Sequence, residues 1–410
     1  MEGRMGLSRR DWVLLALLWL GALGLRLTVL AVPPVIPAIH QDLGLDEKGI
    51  STLTALPTLL LAAAAIPGAL LIARLGARRA LVAGLVAIAA FSALRGVGTA
   101  AAVLFPMTVL MGAGVAVSQP AFPTLTRQWF PRRVGLATAV YSNGLLFGEA
   151  FPAALTGPLI MPLVHQSWPW SLVFWSAPVA ATAALLLFAT REGAEPVHPE
   201  EMPRRWWPDF RSSQIWMVGL VMGLGSASYF GTNAFTPDFL RVSGRGDLTT
   251  PALTALNACQ LLASPIVLVF SRRMVGRRLP FLAAAALLIV AFLGALALPG
   301  AWFVVCAGLV GLGSALALVL TLALPPLLAA PSDVPRFSAG IFAIMYSCSF
   351  IGPLIGGAAW DTTHLPAASL GALAAGACVM AVLAALMRLQ PARRQPAVGE
   401  SGAGLGEGRP

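Results

Sequence analysis

Long apolar stretches, separated only by short polar turns, run through almost the whole of this 410-residue chain. They are continuous and rich in Ala and Leu, so they do not read as the alternating strands of a membrane barrel. A helix needs about 20 apolar residues to cross the hydrocarbon core of a bilayer. Breaks at Gly, Pro and charge divide the chain into twelve such spans: 12–36, 50–73, 80–97, 101–125, 134–159, 170–190, 213–239, 249–270, 280–298, 301–325, 337–360 and 366–388. The turn between the third and fourth is very short, marked by Gly96, Gly98 and Thr99. Composition agrees with the pattern. Hydrophobic residues make up 58% and charged residues only 11%, against roughly 25% charged in soluble domains. The expected fold class is an all-α membrane protein, with the lipid bilayer as its solvent.

The net charge of +10 does not point to nucleic acid, because the basic residues sit in short clusters between spans and form no stripe or tail. Their distribution gives an orientation. Twenty-two Lys and Arg fall on one side, three (Lys48, Arg241 and Arg245) on the other, and Arg26 and Arg95 lie within spans, which accounts for all 27. Short loops rich in Lys and Arg stay in the cytoplasm, so both termini are expected there, in a cell (inner) membrane. The first apolar segment is too long for a cleaved signal core and lacks a small-residue cleavage site. Cys259, Cys306, Cys348 and Cys378 all fall in apolar segments without a CxxC pair, which indicates neither a zinc site nor a disulfide framework.

The longest inter-span segment, 191–212, divides the chain into an N-terminal bundle of six spans (1–190) and a C-terminal one (213–390), followed by a tail (391–410) whose Gly- and Pro-rich composition reads as disordered. The halves match at a near-constant offset. Leu53-Thr-Ala-Leu56 recurs as Leu253-Thr-Ala-Leu256, Pro37 lines up with Pro237, and Arg78-Arg79 lines up with Arg277-Arg278. Gly135, Tyr141 and Ser142 match Gly340, Tyr346 and Ser347. Parallel repeats of six helices, with a substrate site near the midplane between them, are a transporter arrangement.

The loop after the second span reads Arg74-Leu-Gly-Ala-Arg-Arg79, and its counterpart reads Arg273-Met-Val-Gly-Arg-Arg278. These loops resemble the signature of the major facilitators, in which a tight turn and cations hold helix ends together. The resemblance implies twelve helices in two pseudo-symmetric bundles and a cytoplasmic gating loop of Arg74, Arg78, Arg79, Arg277 and Arg278. The plainer reading of these arginines is orientation alone. Ala73 stands where the signature has its acidic residue, which removes any charge relay assigned to that acid.

Charges inside a bilayer cost about 2.5–3.5 kcal/mol each on insertion scales, so each needs a reason. Arg26 lies near mid-depth in span one, which lines the central cavity in the major facilitator fold. It is the main candidate for gripping an anion through two parallel hydrogen bonds; the alternative is a tie to a neighbouring helix. Glu149, at similar depth in span five, is expected to form an ion pair with Arg26, to couple protons, or to be released when substrate takes over Arg26. Arg95, at the outer end of span three, is expected to snorkel to the interface. Gln119, Tyr229 and Asn233 are expected cavity contacts, with Tyr141 and Tyr346 as further polar candidates. Asn257 is placed behind them. Ser226 matches Arg26 in the second half. A single cation facing hydroxyls and amides suits a small monoanion or compact polar solute better than a dianion. Pro33, Pro34, Pro37, Pro57, Pro67, Pro120 and Pro123 mark places where spans one, two and four are expected to bend.

Gly24-Leu-Arg26, Leu53-Thr-Ala-Leu-Pro57, Arg95 and the run Gly112-Ala-Gly-Val-Ala-Val-Ser-Gln-Pro120, leading to Pro123 and the basic turn Arg127–Arg133, resemble the cyanate-permease and nitroimidazole-transporter branch of the major facilitators. The resemblance is strongest in the N-terminal half. It implies a monomeric secondary transporter that moves a small anion or compact polar solute (cyanate-like, carboxylate-like or nitroimidazole-like) by alternating access, with proton coupling left open. The alternative is a proton-driven exporter of drug-like hydrophobic compounds, with Trp19, Phe147 and Tyr229 forming a greasy pocket. An enzyme is not expected. His40, His165, His198 and His364 lie in loops or at span ends, no metal motif occurs, and no cofactor is implied.

Overall fold

Helix follows helix along the chain, and each break has a local cause. The computed structural model describes residues 7–44, 60–62, 66–97, 100–189, 207–387 and 389. Helix α1 (Arg9–Leu30) opens on a capping box in which Ser8 and Asp11 exchange side-chain-to-backbone hydrogen bonds. It stops because Pro33 and Pro34 supply no N–H to continue the ladder; a 3₁₀ turn (Pro33–Val35) leads into α2 (Ile36–Leu43). The expected second span is described only in part, ending in α3 (Ile66–Leu75). Leu53–Pro57 and the 191–206 part of the expected linker lie outside the described residues, as does the tail. Then come α4 (Ala77–Leu94), α5 (Ala101–Ser118) and α6 (Ala121–Trp129). The break between α5 and α6 falls at Pro120, so the expected fourth span is two helices.

Helix α7 (Val134–Leu155) runs through a π turn (Thr156–Ile160) into α8 (Met161–Leu163), a bend of 50° in a stretch holding Pro152, Pro158 and Pro162. Helix α9 (Trp168–Ala189) closes the first half. In the second half, α10 (Ser213–Val242) runs unbroken through Pro237, whereas the corresponding first-half span breaks at Pro33–Pro34. Helices α11 (Thr249–Gln260) and α12 (Ala263–Met274) split the eighth span ahead of Pro265, a break the sequence reading does not foresee. Then follow α13 (Arg278–Ala297), α14 (Trp302–Leu322), α15 (Pro325–Leu328), α16 (Val334–Thr363) and α17 (Ala367–Leu386). Ten of these units are long and apolar enough to cross a membrane, and the bent α7–α8 pair makes an eleventh among the described residues.

Exposed rings mark the two edges of the apolar belt. Trp12 and Trp216 stand at the arginine-rich end, Trp170 and Trp302 at the other, as amphipathic rings do at membrane interfaces. Between them the bundle turns Val86, Leu185, Val290, Val382 and similar side chains outward. Each arginine loop turns on a glycine, Gly76 (φ 81°) in one and Gly276 (φ 73°), one place further along, in the other, a backbone conformation that a Cβ disfavours.

Close helix pairs bring the polar groups together. In the first half α1 packs along α7 and α9; in the second, α10 packs along α16, α14 and α17. Gly144 and Gly148, four residues apart on α7, face α1, and this small-residue spacing lets backbones approach. A Cβ on Gly148 would lie 2.5 Å from the Leu23 carbonyl oxygen and 2.9 Å from the Arg26 Cβ. Gly148 therefore sets how near α7, carrying Glu149, comes to α1, carrying Arg26. Gly148→Leu is expected to push the helices apart, costing about 1–3 kcal/mol as overpacking; a lowered thermal midpoint of the purified protein, together with lost uptake, checks this.

The halves meet at the arginine-rich end, where α7 packs on α12, and α6 on α15 and α16.

Candidate functional site

Between the halves, α1, α7, α10, α11, α14 and α16 enclose a cavity lined by Arg26, Glu149, Ser226, Tyr229, Phe230, Gln260, Ser314, Ala315, Leu318, Met345 and Tyr346. Its volume, measured for the centre of a water-sized sphere, is about 30 Å³. Arg26 is 6% exposed, held between α7 and the opposite half. Its Nη2 donates to the Tyr346 hydroxyl at 2.8 Å, and the ring of Tyr346 lies 5.9 Å from the guanidinium carbon. The Glu149 carboxylate approaches Nε at 3.5 Å, a loose ion pair, and Nε has no hydrogen-bond partner. The buried cation is thus partly compensated, with donor capacity left over.

The expected residues fall into three groups. Arg26, Glu149, Tyr229 and Tyr346 line the cavity. Gln119 stands behind it: the Tyr346 hydroxyl donates to Gln119 Oε1 at 2.7 Å, and Gln119 Nε2 is buried without a partner. Tyr141 and Asn233 are not among the lining residues. Tyr141 donates to the Leu322 carbonyl at 3.3 Å, and Asn233 donates back to the Tyr229 carbonyl of its own helix at 3.1 Å. Asn257, ranked below them from sequence, accepts from the Tyr229 hydroxyl at 2.6 Å and so orients that ring. The sequence reading named no cavity residue from span ten. Ser314 enters from there, its hydroxyl buried and unpartnered, and its only signal is to be one of two hydroxyls, with Thr321, in an otherwise apolar helix. Gln260 and Ser226 also reach the cavity, while Phe230 and Met345 carry no sequence signal beyond hydrophobicity.

Arg95 corrects an expectation. It does not snorkel but is fully buried. The last carbonyls of α1 lack intrahelical partners, and Arg95 Nη2 donates to that of Thr28 at 2.8 Å and to Ser92 Oγ at 3.0 Å. A cation at this helix end also meets the negative pole of the helix dipole. Thr28 lies two residues beyond Arg26, roughly 200° around the helix. Arg95 therefore grips the back of α1 while Arg26 faces the cavity.

Of the loop arginines, Arg74, Arg79, Arg277 and Arg278 are exposed, and Arg78 donates to the Leu187 carbonyl at 3.0 Å, tying α4 to α9. A larger cleft of about 490 Å³ opens at the arginine-rich end beside Ser213, Gln214, Met217 and Leu328, with no charged side chain among the described residues that line it. The chemical case rests on the central cavity.

Comparison with known proteins adds the following. The family model described as Major Facilitator Superfamily matches residues 18–302. The cyanate transport protein CynX of Escherichia coli (strain K12) is 27% identical over 390 residues, 93% of this chain and 98% of that protein. The 2-nitroimidazole transporter of the same organism is 28% identical over 253 residues, 60% of this chain and 61% of that one. The crystal structure of the E. coli fucose:proton symporter superposes with a TM-score of 0.68 at 13% identity, covering 92% of this chain and 97% of the other. At that identity the likeness is one of fold.

Proposed function

This chain belongs to the Major Facilitator Superfamily, and from that premise we propose that it is a proton-linked carrier of small monoanions in the inner membrane, with Arg26 as the substrate cation. It is a multi-pass membrane transporter and not an enzyme. The proposal keeps the division into bundles 1–190 and 213–390, with both termini cytoplasmic.

The observation that carries the reading is Arg26 itself: a buried guanidinium at the midline, facing a cavity, whose carboxylate partner stands off at 3.5 Å. A tight structural pair would have both carboxylate oxygens on the guanidinium fork. Here an incoming anion can take the place of Glu149. A carboxylate left buried without its cation is costly to keep charged, so a proton from outside accompanies the anion. Tyr229 and Gln260 face Glu149 from α10 and α11.

The lining supports the anion class. A single cation set among the hydroxyls of Ser226, Tyr229, Ser314 and Tyr346 and the Gln260 amide suits a small anion such as cyanate, the ligand named for the relative CynX. The drug-exporter reading has less behind it. Of Trp19, Phe147 and Tyr229, only Tyr229 lines the cavity; Trp19 instead donates to Asn143 Oδ1 at 2.8 Å.

Uptake of radiolabelled cyanate into proteoliposomes tests the proposal. Uptake is expected to rise with an acid-outside gradient, to collapse with a protonophore, and to be inhibited by other small monoanions. Efflux of neutral hydrophobic compounds without any cyanate uptake would refute it.

A further inference from the structure

We propose that Tyr346 is a positioning residue that reports occupancy of Arg26 to the closed, arginine-rich end of the molecule; this rests on the reading of Arg26 as the substrate cation. The argument begins with a repeat. Tyr141 and Tyr346 occupy matching places in the two halves, and both are buried. Each hydroxyl crosses the midline to the break in the opposite half's fourth helix. Tyr346 on α16 reaches Gln119, the residue that caps α5. Tyr141 on α7 reaches the carbonyl of Leu322, the last residue of α14. Two symmetry-related latches therefore tie the halves together beside the packed α7–α12 and α6–α16 contacts.

The latches differ in one respect. Only the Tyr346 hydroxyl also accepts from Arg26, at 2.8 Å. Its two bonds reinforce each other, because a hydroxyl polarised by a cation is a better donor to Gln119. An anion that claims the Arg26 fork removes the Arg26–Tyr346 bond and weakens the Tyr346–Gln119 bond. Binding then favours the state in which the arginine-rich end parts, which supplies the differential interaction that a ligand-driven change requires. Tyr141 has no such wire to the site and holds the halves together whether or not the anion is present.

Hydrogen–deuterium exchange of the full-length protein reads the opening at 134–141 and 263–274, with potassium cyanate as the probe and a thermal shift as the separate binding readout. In the wild type, cyanate is expected to speed exchange in both segments. Tyr346→Phe keeps the ring and is expected to raise cyanate-free exchange about tenfold, the scale of one charge-assisted hydrogen bond. Added cyanate should then change it no further, although it still raises the melting temperature. Tyr141→Phe is expected to raise the baseline and keep the cyanate response. A Tyr346→Phe protein that melts higher with cyanate yet shows the wild-type baseline, or the wild-type response, overturns the latch alone. No thermal shift in the wild type overturns the Arg26 reading and the latch with it.

Discussion

Arg26→Ala is expected to abolish saturable anion uptake, with kcat/KM falling by about 10²–10³-fold. Removing one partner of a buried, hydrogen-bonded charge contact costs roughly 2–5 kcal/mol, and each 1.4 kcal/mol is about a factor of ten. Arg26 has such contacts on both sides, Glu149 at 3.5 Å and Tyr346 at 2.8 Å. Lysine is not expected to rescue, because its ammonium is a compact point charge that does not present the guanidinium's fixed pair of N–H donors to the anion. Arg26→Lys should therefore bind weakly and discriminate poorly between anions, as initial uptake rates against a panel of monoanions would measure. Wild-type rates in either variant would move the substrate site elsewhere in the cavity.

Glu149→Gln separates transport from coupling. The amide keeps the size of the carboxylate beside Arg26, Tyr229 and Gln260 but carries no charge and exchanges no proton. Anion affinity is expected to hold or to tighten, since the competitor for Arg26 is gone. Exchange of internal for external anion should persist, while accumulation driven by an acid-outside gradient falls to the level set by the anion gradient alone. In the wild type, uptake rises as external pH falls; in the variant it becomes flat. Counterflow and pH-gradient uptake on the same proteoliposomes measure the two quantities. A variant that still concentrates the anion against its gradient would remove Glu149 from the coupling.

The architecture was legible because a bilayer imposes its demand on every span, and apolar length alone reveals it. The breaks at Pro33–Pro34 and Pro120 followed from missing N–H donors. The break ahead of Pro265 and the π turn at Thr156–Ile160 were not foreseen, although Pro158, Pro162 and Pro265 lack the same donor, because Pro152 and Pro237 show that a proline need not end a helix. The core of the site, Arg26 and Glu149, stood out because charge in hydrocarbon needs a partner. What the sequence could not give was direction around each helix. Asn233 and Asn257 are both amides on cavity-side helices, yet one bonds its own backbone and the other orients Tyr229. Arg95 was misplaced for the same reason: its position along the helix suggested the interface, while its azimuth turned it onto the freed Thr28 carbonyl. Ser314 passed unnoticed because one hydroxyl in an apolar helix most often bonds its own backbone, as Ser118 and Ser142 do here.

Thermal stabilisation by small anions, compared between the wild type and Arg26→Ala, tests the central claim most directly. A ligand at a hundred times its Kd stabilises a protein by about 2.7 kcal/mol, enough for a clear shift in melting temperature. The account predicts that cyanate and similar monoanions raise the melting temperature of the wild type and leave that of a folded Arg26→Ala protein unchanged. An undiminished shift in the folded variant would contradict it, and would make Arg26 a tie between the two halves instead of the substrate's cation.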